Sequence, residues 1–356
     1  MDTAHAQMLG RRDATKTLAA LALGPALTEP LEPWIAKPAA LPAIADRQGT
    51  VTEAEVHRIE TATRALRSWD SRFRLGIRCK AVVGQLNEVA ELLKEPQPAA
   101  LARRLFTVLA ELAKIAASMS YDAGLHPTAQ RYYVFALRAS HQAGDRLFGA
   151  NVLADMARQM LDLDRPAEAL DLVRLALDGV GATAPGRVTA MLRTREAWAY
   201  ATTRRIQAFH RAVGQAQEAF LQTGPEPYWT SGFDAAELHG VIGARYRDLA
   251  QHDPKQAARA VEHIQRALEL RSPRKLRNRA FDLIGLARAY LVLGEPEQAC
   301  AVGREALTIA DRIGSGRVYR RLADLHREST RFKTNPTVAE FRDELRHRLR
   351  HAAVTT

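Results

Sequence analysis

The sequence predicts an all-α protein in which antiparallel helix pairs stack into a superhelix. Three observations lead to this fold class. A phrase of small residues recurs about every forty residues, apolar residues fall three and four apart almost throughout after Thr52, and glycine and proline mark helix ends and starts. Recurrence at such a period is typical of a solenoid, whose units bury their apolar faces only against their neighbours.

The recurring phrase consists of Ala, a residue of variable size four positions later, and a second Ala three positions after that. Its copies start 40, 43, 48 and 39 residues apart. Residues four and seven apart share one helix face, so the phrase predicts a helix that packs closely against its neighbours. The copies are Ala129-Tyr133-Ala136, Ala169-Val173-Ala176, Ala212-Ala216-Ala219, Ala260-Ile264-Ala267 and Ala299-Gly303-Ala306.

The other elements follow in chain order from the apolar spacing. Segments that carry Val56 to Leu66 and Ala81 to Leu93 predict a hairpin before the first repeat, and a last pair near 315–330 and 336–352 caps the array. Strand signals are absent from the sequence. The first helices of the five repeats are predicted at Leu105 to Ala123, Phe148 to Leu161, Met191 to Thr203, Phe233 to Ala250 and Leu276 to Leu293.

Residues 1–50 differ from the rest because five prolines interrupt an Ala-rich stretch. They predict a short helix near 11–24 followed by a Pro/Ala-rich linker, and we assign 51–356 to a solenoid of about five to seven helical hairpins. A signal peptide is disfavoured because the apolar run from Leu18 to Leu27 is short and contains Gly24 and Pro25.

Two distant cysteines, Cys79 and Cys300, predict neither a disulfide framework nor a zinc site. Together with the absence of an apolar run long enough to span a membrane, they favour a cytoplasmic protein without a membrane partner. With 47% hydrophobic and 26% charged residues, the chain can bury a core.

The formal net charge is +11, which raises the hypothesis of an acidic partner or nucleic acid. We read the basic runs as solvated helix surface, and a face that contacts phosphate or an acidic partner is the alternative. Few aromatic residues that could stack on bases interleave these runs. They comprise Arg271, Arg274, Lys275, Arg277 and Arg279; Arg317, Arg320, Arg321, Arg327, Arg331 and Lys333; and Arg342, Arg346, Arg348 and Arg350.

The best repeat copies resemble the tetratricopeptide repeat (TPR). In the fifth, Leu286, Ala287 and Tyr290 stand on the first helix, Gly294 ends it and Pro296 opens the second. In the first copy Gly124 holds the same offset, and Pro127 stands one position later than its counterpart. The resemblance implies a right-handed superhelix in which the first helix of each repeat lines a concave groove.

Longer phrases resemble a family of actinobacterial regulators in which a TPR-like array follows a helix-turn-helix domain. They run from Ala129 to Leu137, from Trp229 to Leu238 and from Arg317 to Leu345, with Gly10-Arg11-Arg12-Asp13 at the junction. The resemblance implies a transcriptional regulator of sporulation or secondary metabolism. Ten residues before Arg11 are too few for a helix-turn-helix, so this member either lacks one or is a fragment.

The TPR register selects residues expected to face the groove. Lys114, Asn151 and Arg158 could together hold a peptide carboxylate through charge-assisted hydrogen bonds, and ordinary solvated polar residues are the alternative. The expected partner is a protein segment or short peptide. The full set is Lys114, Ser118, Tyr121, Asp122, Asn151, Arg158, Arg204, Arg205 and Arg288.

The phrase around Trp229 provides a second candidate site. Asp234 before a helical run, with Glu237 three residues later, predicts a capping box, and Trp229 and Phe233 could pack it on the preceding hairpin. The functional alternative is a ligand rim. That rim would comprise Trp229, Asp234, Glu237, His239 and Arg245.

No known catalytic, phosphate-binding or metal-binding motif occurs in the sequence, so we expect no enzyme, no cofactor and no metal. The leading hypothesis is a regulatory module that binds a protein segment in its groove. Direct contact with DNA through the C-terminal arginines is the alternative, and nucleic acid could also be reached through a partner or a missing helix-turn-helix. Homodimer formation is left open.

Overall fold

The computed structural model of the chain describes residues 51–68, 75–313 and 316–355. They form fourteen α-helices and no β-strand, which confirms the all-α fold class. The predicted helix near 11–24 and the linker lie outside the described residues. The helices are α1 (Glu53–Ser68), α2 (Leu75–Leu92), α3 (Ala99–Asp122), α4 (His126–Ala143), α5 (Arg146–Asp162), α6 (Pro166–Val180), α7 (Gly186–Thr202), α8 (Ile206–Phe220), α9 (Ala235–Ala250), α10 (Ala257–Leu270), α11 (Leu276–Leu293), α12 (Pro296–Ile313), α13 (Gly316–Glu328) and α14 (Pro336–Thr355).

Two compact units divide the chain. The first contains the described residues up to Gln159 together with Arg174–Thr183, and the second contains Met160–Val173 together with the described residues from Ala184 onward. In the first unit α3 and α4 form a hairpin, and α1 and α2 pack against α3. In the second, α7 with α8, α9 with α10, α11 with α12 and α13 with α14 pack as sequential antiparallel pairs.

The first helices of neighbouring hairpins also contact one another in the second unit. Helix α7 packs against α9, α9 against α11, and α11 against α13, while α10 packs against α11. This arrangement, in which every hairpin is covered by the next, is typical of a helical repeat array. It places the side chains of successive first helices along one continuous row within this unit.

The recurring phrase lies at the helix contacts, as predicted. Its Ala residues are 0–4% exposed in every copy, from Ala129 to Ala306. The variable middle position is also buried where it carries a large side chain, at Tyr133, Val173 and Ile264. Small side chains therefore stand where neighbouring helices approach closely.

In the recurring phrase, the size of the middle residue is complementary to the size of the residue that packs against it from another helix. A Cβ added to Gly303 would lie 2.3 Å from the ring of Phe341 on α14, so this glycine makes room for a buried aromatic ring. In the preceding copy the large residue is Ile264, and the space is made by Gly243 on α9, where a Cβ would lie 2.6 Å from the Ile264 side chain. In both copies a glycine faces a large side chain, as close packing of the interior requires.

Four of the turns inside the hairpins share one geometry. A residue one or two positions after the first helix is left-handed, namely Gly124, Asp164, Arg204 and Gly294, with φ of 79°, 58°, 56° and 81°. The next residue donates its backbone N–H to the carbonyl five positions earlier, as Glu295 does to Tyr290 at 3.0 Å. This bond is the mark of a Schellman motif, which satisfies carbonyls at a helix end.

The predicted boundaries hold to within a few residues, with three differences. Helix α3 begins at Ala99, directly after Pro98 and six residues before the predicted start at Leu105. Helix α7 begins at Gly186, directly after Pro185, five residues before the predicted start at Met191. Phe233 precedes α9, because Tyr228–Gly232 forms a 3-10 turn and Asp234 caps the helix. Across the described part of the chain, no helix combines the length and apolar character needed to cross a membrane.

Candidate functional site

In the first unit, residues predicted to face a groove do meet between α3 and α5. The Lys114 Nζ lies 2.7 Å from Asp155 Oδ2. The guanidinium carbon of Arg158 lies 4.8 Å from the centre of the Tyr121 ring, a cation–π contact. The first helices of repeats one and two are therefore joined by side chains that the sequence singled out.

Further members of this set influence the buried hydroxyl of Tyr133, on α4. Burial raises the pKa of Tyr133, the nearby carboxylates of Asp155 and Asp122 raise it further, and Arg158 and the Ser118 hydroxyl oppose them. Tyr133 is fully buried, so its phenol stays protonated at neutral pH. Polar groups from three helices therefore gather at one point of this unit.

Lys114 is less available than the sequence suggested. It was expected to bind a partner carboxylate together with Asn151 and Arg158, yet Asp155 already neutralises it, and Asn151 is buried. Asp155 lies four residues after Asn151 and three before Arg158, so all three share one face of α5. That spacing was the signal that could have identified Asp155 beforehand.

Arg204 and Arg205 do not project from a first helix. Helix α7 ends at Thr202, and both arginines are exposed in the turn that follows. Arg204 is the left-handed residue of that turn, and the Arg205 guanidinium carbon lies 5.1 Å from the centre of the Tyr200 ring. The predicted register is wrong here, because the left-handed residue Arg204 stands eight positions before Ala212, whereas Gly124 stands five positions before Ala129.

Arg288 does lie on a first helix, α11, and its side chain is buried. Its Nε donates to Glu328 Oε2 at 2.7 Å, and its Nη2 donates to Glu328 Oε1. Burial alone would lower the pKa of Arg288, but the hydrogen bonds that it donates to Glu328 raise it overall, so the guanidinium remains charged. Such a bidentate pair orients the guanidinium firmly.

Arg288 belongs to a larger group in the second unit, here called the charged centre. Its members stand on α7, α9, α11, α13 and the end of α5, and their charges act on one another. It contains two more arginines than carboxylates. The members are Arg195, Arg245, Arg247, Arg288, Arg317 and Arg321, with Asp162, Asp248, Asp324 and Glu328.

Asp248 is the most strongly held carboxylate of the charged centre. Its Oδ2 lies 3.0 Å from Arg245 Nη1, and its Oδ1 accepts a bond from Arg247 Nε at 3.1 Å. Burial opposes ionisation, but the charges of both arginines prevail and lower the pKa of Asp248 to about 2. Burial lowers the pKa of Arg247 to about 10.

Asp162, at the end of α5, is held less firmly. Burial raises its pKa, although Arg321, Arg317, Arg245 and Arg195 all act to lower it. Arg321 Nη2 lies 3.9 Å from its Oδ1, which is beyond hydrogen-bonding distance. The sequence analysis missed this convergence, because residues more than 150 positions apart meet there.

The rim residues at the start of α9 are structural. Asp234 caps the helix by accepting a bond from the Glu237 backbone N–H at 2.9 Å, which confirms the predicted cap. The reciprocal half of the capping box does not form, because the Glu237 carboxylate binds Arg271 and Asn278 instead, each at 2.9 Å. Asp234 Oδ2 also binds Lys275 at 2.7 Å.

The other rim residues face different neighbours. His239 Nδ1 lies 3.1 Å from His263 Nδ1 on α10, and the Arg245 guanidinium carbon lies 3.9 Å from the centre of the Trp198 ring on α7. Trp229 lies in the 3-10 turn before the cap. The five residues therefore do not form one ligand rim.

Phe233 packs against Phe220 of the preceding hairpin, with ring centres 6.1 Å apart. This contact confirms the packing predicted for Phe233, which buries the entry to α9 against the end of α8.

Many of the basic residues that suggested nucleic acid are engaged within the protein. Arg271 is buried against Glu237 and Asp282, and Arg279 Nη2 lies 2.7 Å from Glu305. Other internal contacts of this kind join Lys275 to Asp234, Arg342 to the carbonyl of His326, Arg346 to Asp343 and Arg348 to Asp311. The C-terminal helices therefore present less free positive charge than their composition suggests.

A scan against models of known protein families gives no match, and a search of curated proteins gives no significant match either.

Proposed function

We propose that this chain is a regulatory binding module, a TPR-like right-handed superhelix that holds a segment of a partner protein against its first helices. The observation that carries the proposal is the row of first helices in the second unit, α7, α9, α11 and α13, each in contact with the next. Binding surfaces of repeat proteins are built on such rows, because each repeat contributes side chains to one continuous face.

The chemistry of the first helices supports this proposal. Polar and charged side chains meet between successive first helices in both units, at Lys114 with Asp155, at Arg158 with Tyr121, and in the charged centre. The recurring Ala phrase, in contrast, packs the second helices and leaves them little chemistry of their own. A partner segment would find hydrogen-bonding and charged groups along the first helices.

The regulatory part of the proposal rests on the resemblance of the phrases Ala129 to Leu137 and Trp229 to Leu238 to actinobacterial regulators of differentiation and secondary metabolism. In that setting the array would act as a docking or sensing part, and any DNA contact would be made by another domain or a partner. A homodimer would be compatible with this role.

The test is the affinity for the partner that the immobilised chain captures, measured by isothermal titration calorimetry. We expect the double variant Lys114→Ala, Arg158→Ala to bind more weakly, because removing a hydrogen bond to a charged group costs about 1.5–3 kcal/mol. The matched control is Arg131→Ala, Arg138→Ala, which removes two exposed arginines from the second helix α4 of the same unit. It should bind as the wild type does.

Circular dichroism and thermal unfolding establish that both double variants remain folded. Equal affinities for wild type and both variants would count against the first helices of this unit. A loss of affinity only when Arg346 and Arg350 on α14 are neutralised, with a steep dependence on salt, would favour the nucleic-acid alternative.

A further inference from the structure

Arg321 occupies an unusual position in the charged centre. It stands on the first helix α13 between Asp162 and Asp324, and it lies 3.9 Å from the nearest oxygen of each. A guanidinium that hydrogen bonds to a carboxylate approaches to about 2.7–2.9 Å. Both contacts are therefore longer than hydrogen bonds, and the Arg321 side chain is 38% exposed. Its N–H groups can turn toward a ligand that arrives from solvent.

Two other arginines of the charged centre hold buried N–H groups without an acceptor in the described part of the chain. Arg245 Nε and Arg288 Nη1 are buried and have no acceptor among the described residues. Both side chains are more than nine-tenths buried, at 7% and 6% exposure. Arg245 is fixed on one side by the Trp198 ring and on another by Asp248, and Arg288 by Glu328. The arginines are thus held in place with unused N–H groups, which a buried site tolerates at a cost.

From this arrangement we infer that the charged centre recognises a carboxylate of an acidic segment in the partner protein, with Arg321 making the direct contact. The inference deepens the proposed function and rests on it, because it assigns the chemistry of the segment bound by the first helices. Arg321 holds its two neighbouring carboxylates only at 3.9 Å, so it would bind the partner carboxylate in a bidentate fork.

The same residues disfavour a polyanion. Asp248, Asp324 and Glu328 stand on α9 and α13 beside the arginines, so a chain of phosphates laid along these helices would meet carboxylates at every step. A single carboxylate can be placed between Arg321 and its neighbours without that repulsion. Charge complementarity therefore points to an acidic protein segment in preference to nucleic acid.

The experiment uses the full chain and a fluorescein-labelled peptide that carries a single Glu among Gly and Ser residues, with a counterpart in which Gln replaces this Glu. Fluorescence anisotropy gives the dissociation constants. We expect the Glu peptide to bind at least ~10-fold more tightly than the Gln peptide, since a charge-assisted hydrogen bond is worth that much or more. Arg321→Gln should weaken binding of the Glu peptide by about tenfold.

Two further variants distinguish the contribution of the bidentate fork to affinity from that of the positive charge, and from the general effect of removing an arginine. Arg321→Lys keeps the charge but loses the bidentate fork, so its affinity should fall between wild type and Arg321→Gln. The matched control is Arg346→Gln, an exposed arginine on α14 that pairs with an aspartate three residues earlier. We expect its affinity to stay within about twofold of wild type.

Equal binding of the Glu and Gln peptides, or an equal loss in Arg321→Gln and Arg346→Gln, would overturn the inference. Tighter binding of a duplex oligonucleotide, weakened by Arg321→Gln, would also overturn it in favour of nucleic acid. If the captured partner depends on Lys114 and Arg158 while the Glu peptide does not bind, the acidic chemistry fails and the proposed function stands. If neither the partner nor the peptide responds to any variant on a first helix, both fail.

Discussion

At the scale of single residues, Arg204 shows a conflict between backbone and side chain. Its φ of 56° is left-handed, while the equivalent turns carry Gly124 and Gly294 at 79° and 81°. A side chain with a Cβ pays roughly 1–2 kcal/mol for this conformation, and glycine does not. Arg204 was a predicted groove residue, so the conflict can be used to separate a structural effect from a functional one.

We expect Arg204→Gly to stabilise the protein by ~0.5–1 kcal/mol, because the left-handed strain is relieved and part of the gain is offset by the entropy of glycine. Urea unfolding followed by circular dichroism measures the change. The complementary variant Gly294→Ala places a Cβ in the same turn geometry and should destabilise. A loss of stability in Arg204→Gly would show that this turn does not have the described conformation.

The sequence predicted the glycine turns and missed the arginine turn, for a clear physical reason. Gly294 followed by Pro296 marks a helix end in any sequence, since glycine is the residue that best tolerates positive φ. Arginine is not a signal for a helix end, and the sequence pattern allowed helix α7 to continue through Thr203. Only the backbone of the folded chain shows that Arg204 replaces the glycine.

At the scale of helix pairs, the packing of α12 against α14 depends on Gly303. A Cβ there would lie 2.3 Å from the Phe341 ring, which is itself 1% exposed and has no room to move outward. We expect Gly303→Ala to destabilise by about 1–3 kcal/mol through overpacking, measured by urea unfolding.

Gly214 is the matched control, a glycine on the second helix α8 with no atom within 4 Å of an added Cβ. Gly214→Ala should stabilise the protein by about 0.5–1 kcal/mol, because alanine is the better helix former. Equal effects of the two substitutions would mean that the close approach of α12 and α14 is not as described.

The helix pair α9 and α10 also contains a contact between two histidines, His239 on α9 and His263 on α10. Burial lowers the pKa of both, Arg266 lowers that of His239 further, and His239 lowers that of His263, while Glu262 opposes the shift in each. The folded state therefore binds protons less readily than the unfolded chain, whose histidines have the ordinary pKa of 6.5. Stability is full above that value and falls as the pH is lowered through the window beneath it.

Urea unfolding at about pH 7.5 and about pH 5.5 tests this dependence. We expect wild type to lose stability at the lower pH, and the double variant His239→Asn, His263→Asn to lose less. His252→Asn, which replaces an exposed histidine at the end of α9, should behave as wild type. A double variant with the full wild-type dependence would assign the effect to other groups.

Helix positions were predictable because they depend on local spacing. The predicted range Leu276 to Leu293 coincides with α11, since Gly294 ends it and apolar residues fill its buried face. The histidine pair and the Gly303–Phe341 contact were not predictable, because each requires the register between two helices that are separated by a turn or by another helix. Small residues in the recurring phrase indicated where helices approach, and the identity of the neighbour came only with the fold.

At the scale of the whole molecule, one part of the candidate site was predictable from the sequence and another part was not. Lys114, Tyr121 and Arg158 share the TPR register, and the structure brings their helices together. The charged centre combines side chains from α5, α7, α9, α11 and α13, and no local pattern links Asp162 to Arg321. The basic composition suggested nucleic acid, whereas the folded chain neutralises many of those charges internally.

The most direct test of the central claim is arginine footprinting with phenylglyoxal, read by mass spectrometry in the presence and absence of the captured partner. Binding along the first helices predicts that the partner protects Arg158, Arg321 or both from modification. Arg131 on α4 and Arg346 on α14 should react equally with and without it. Protection confined to Arg346 and Arg350, with Arg158 and Arg321 unchanged, would contradict the account.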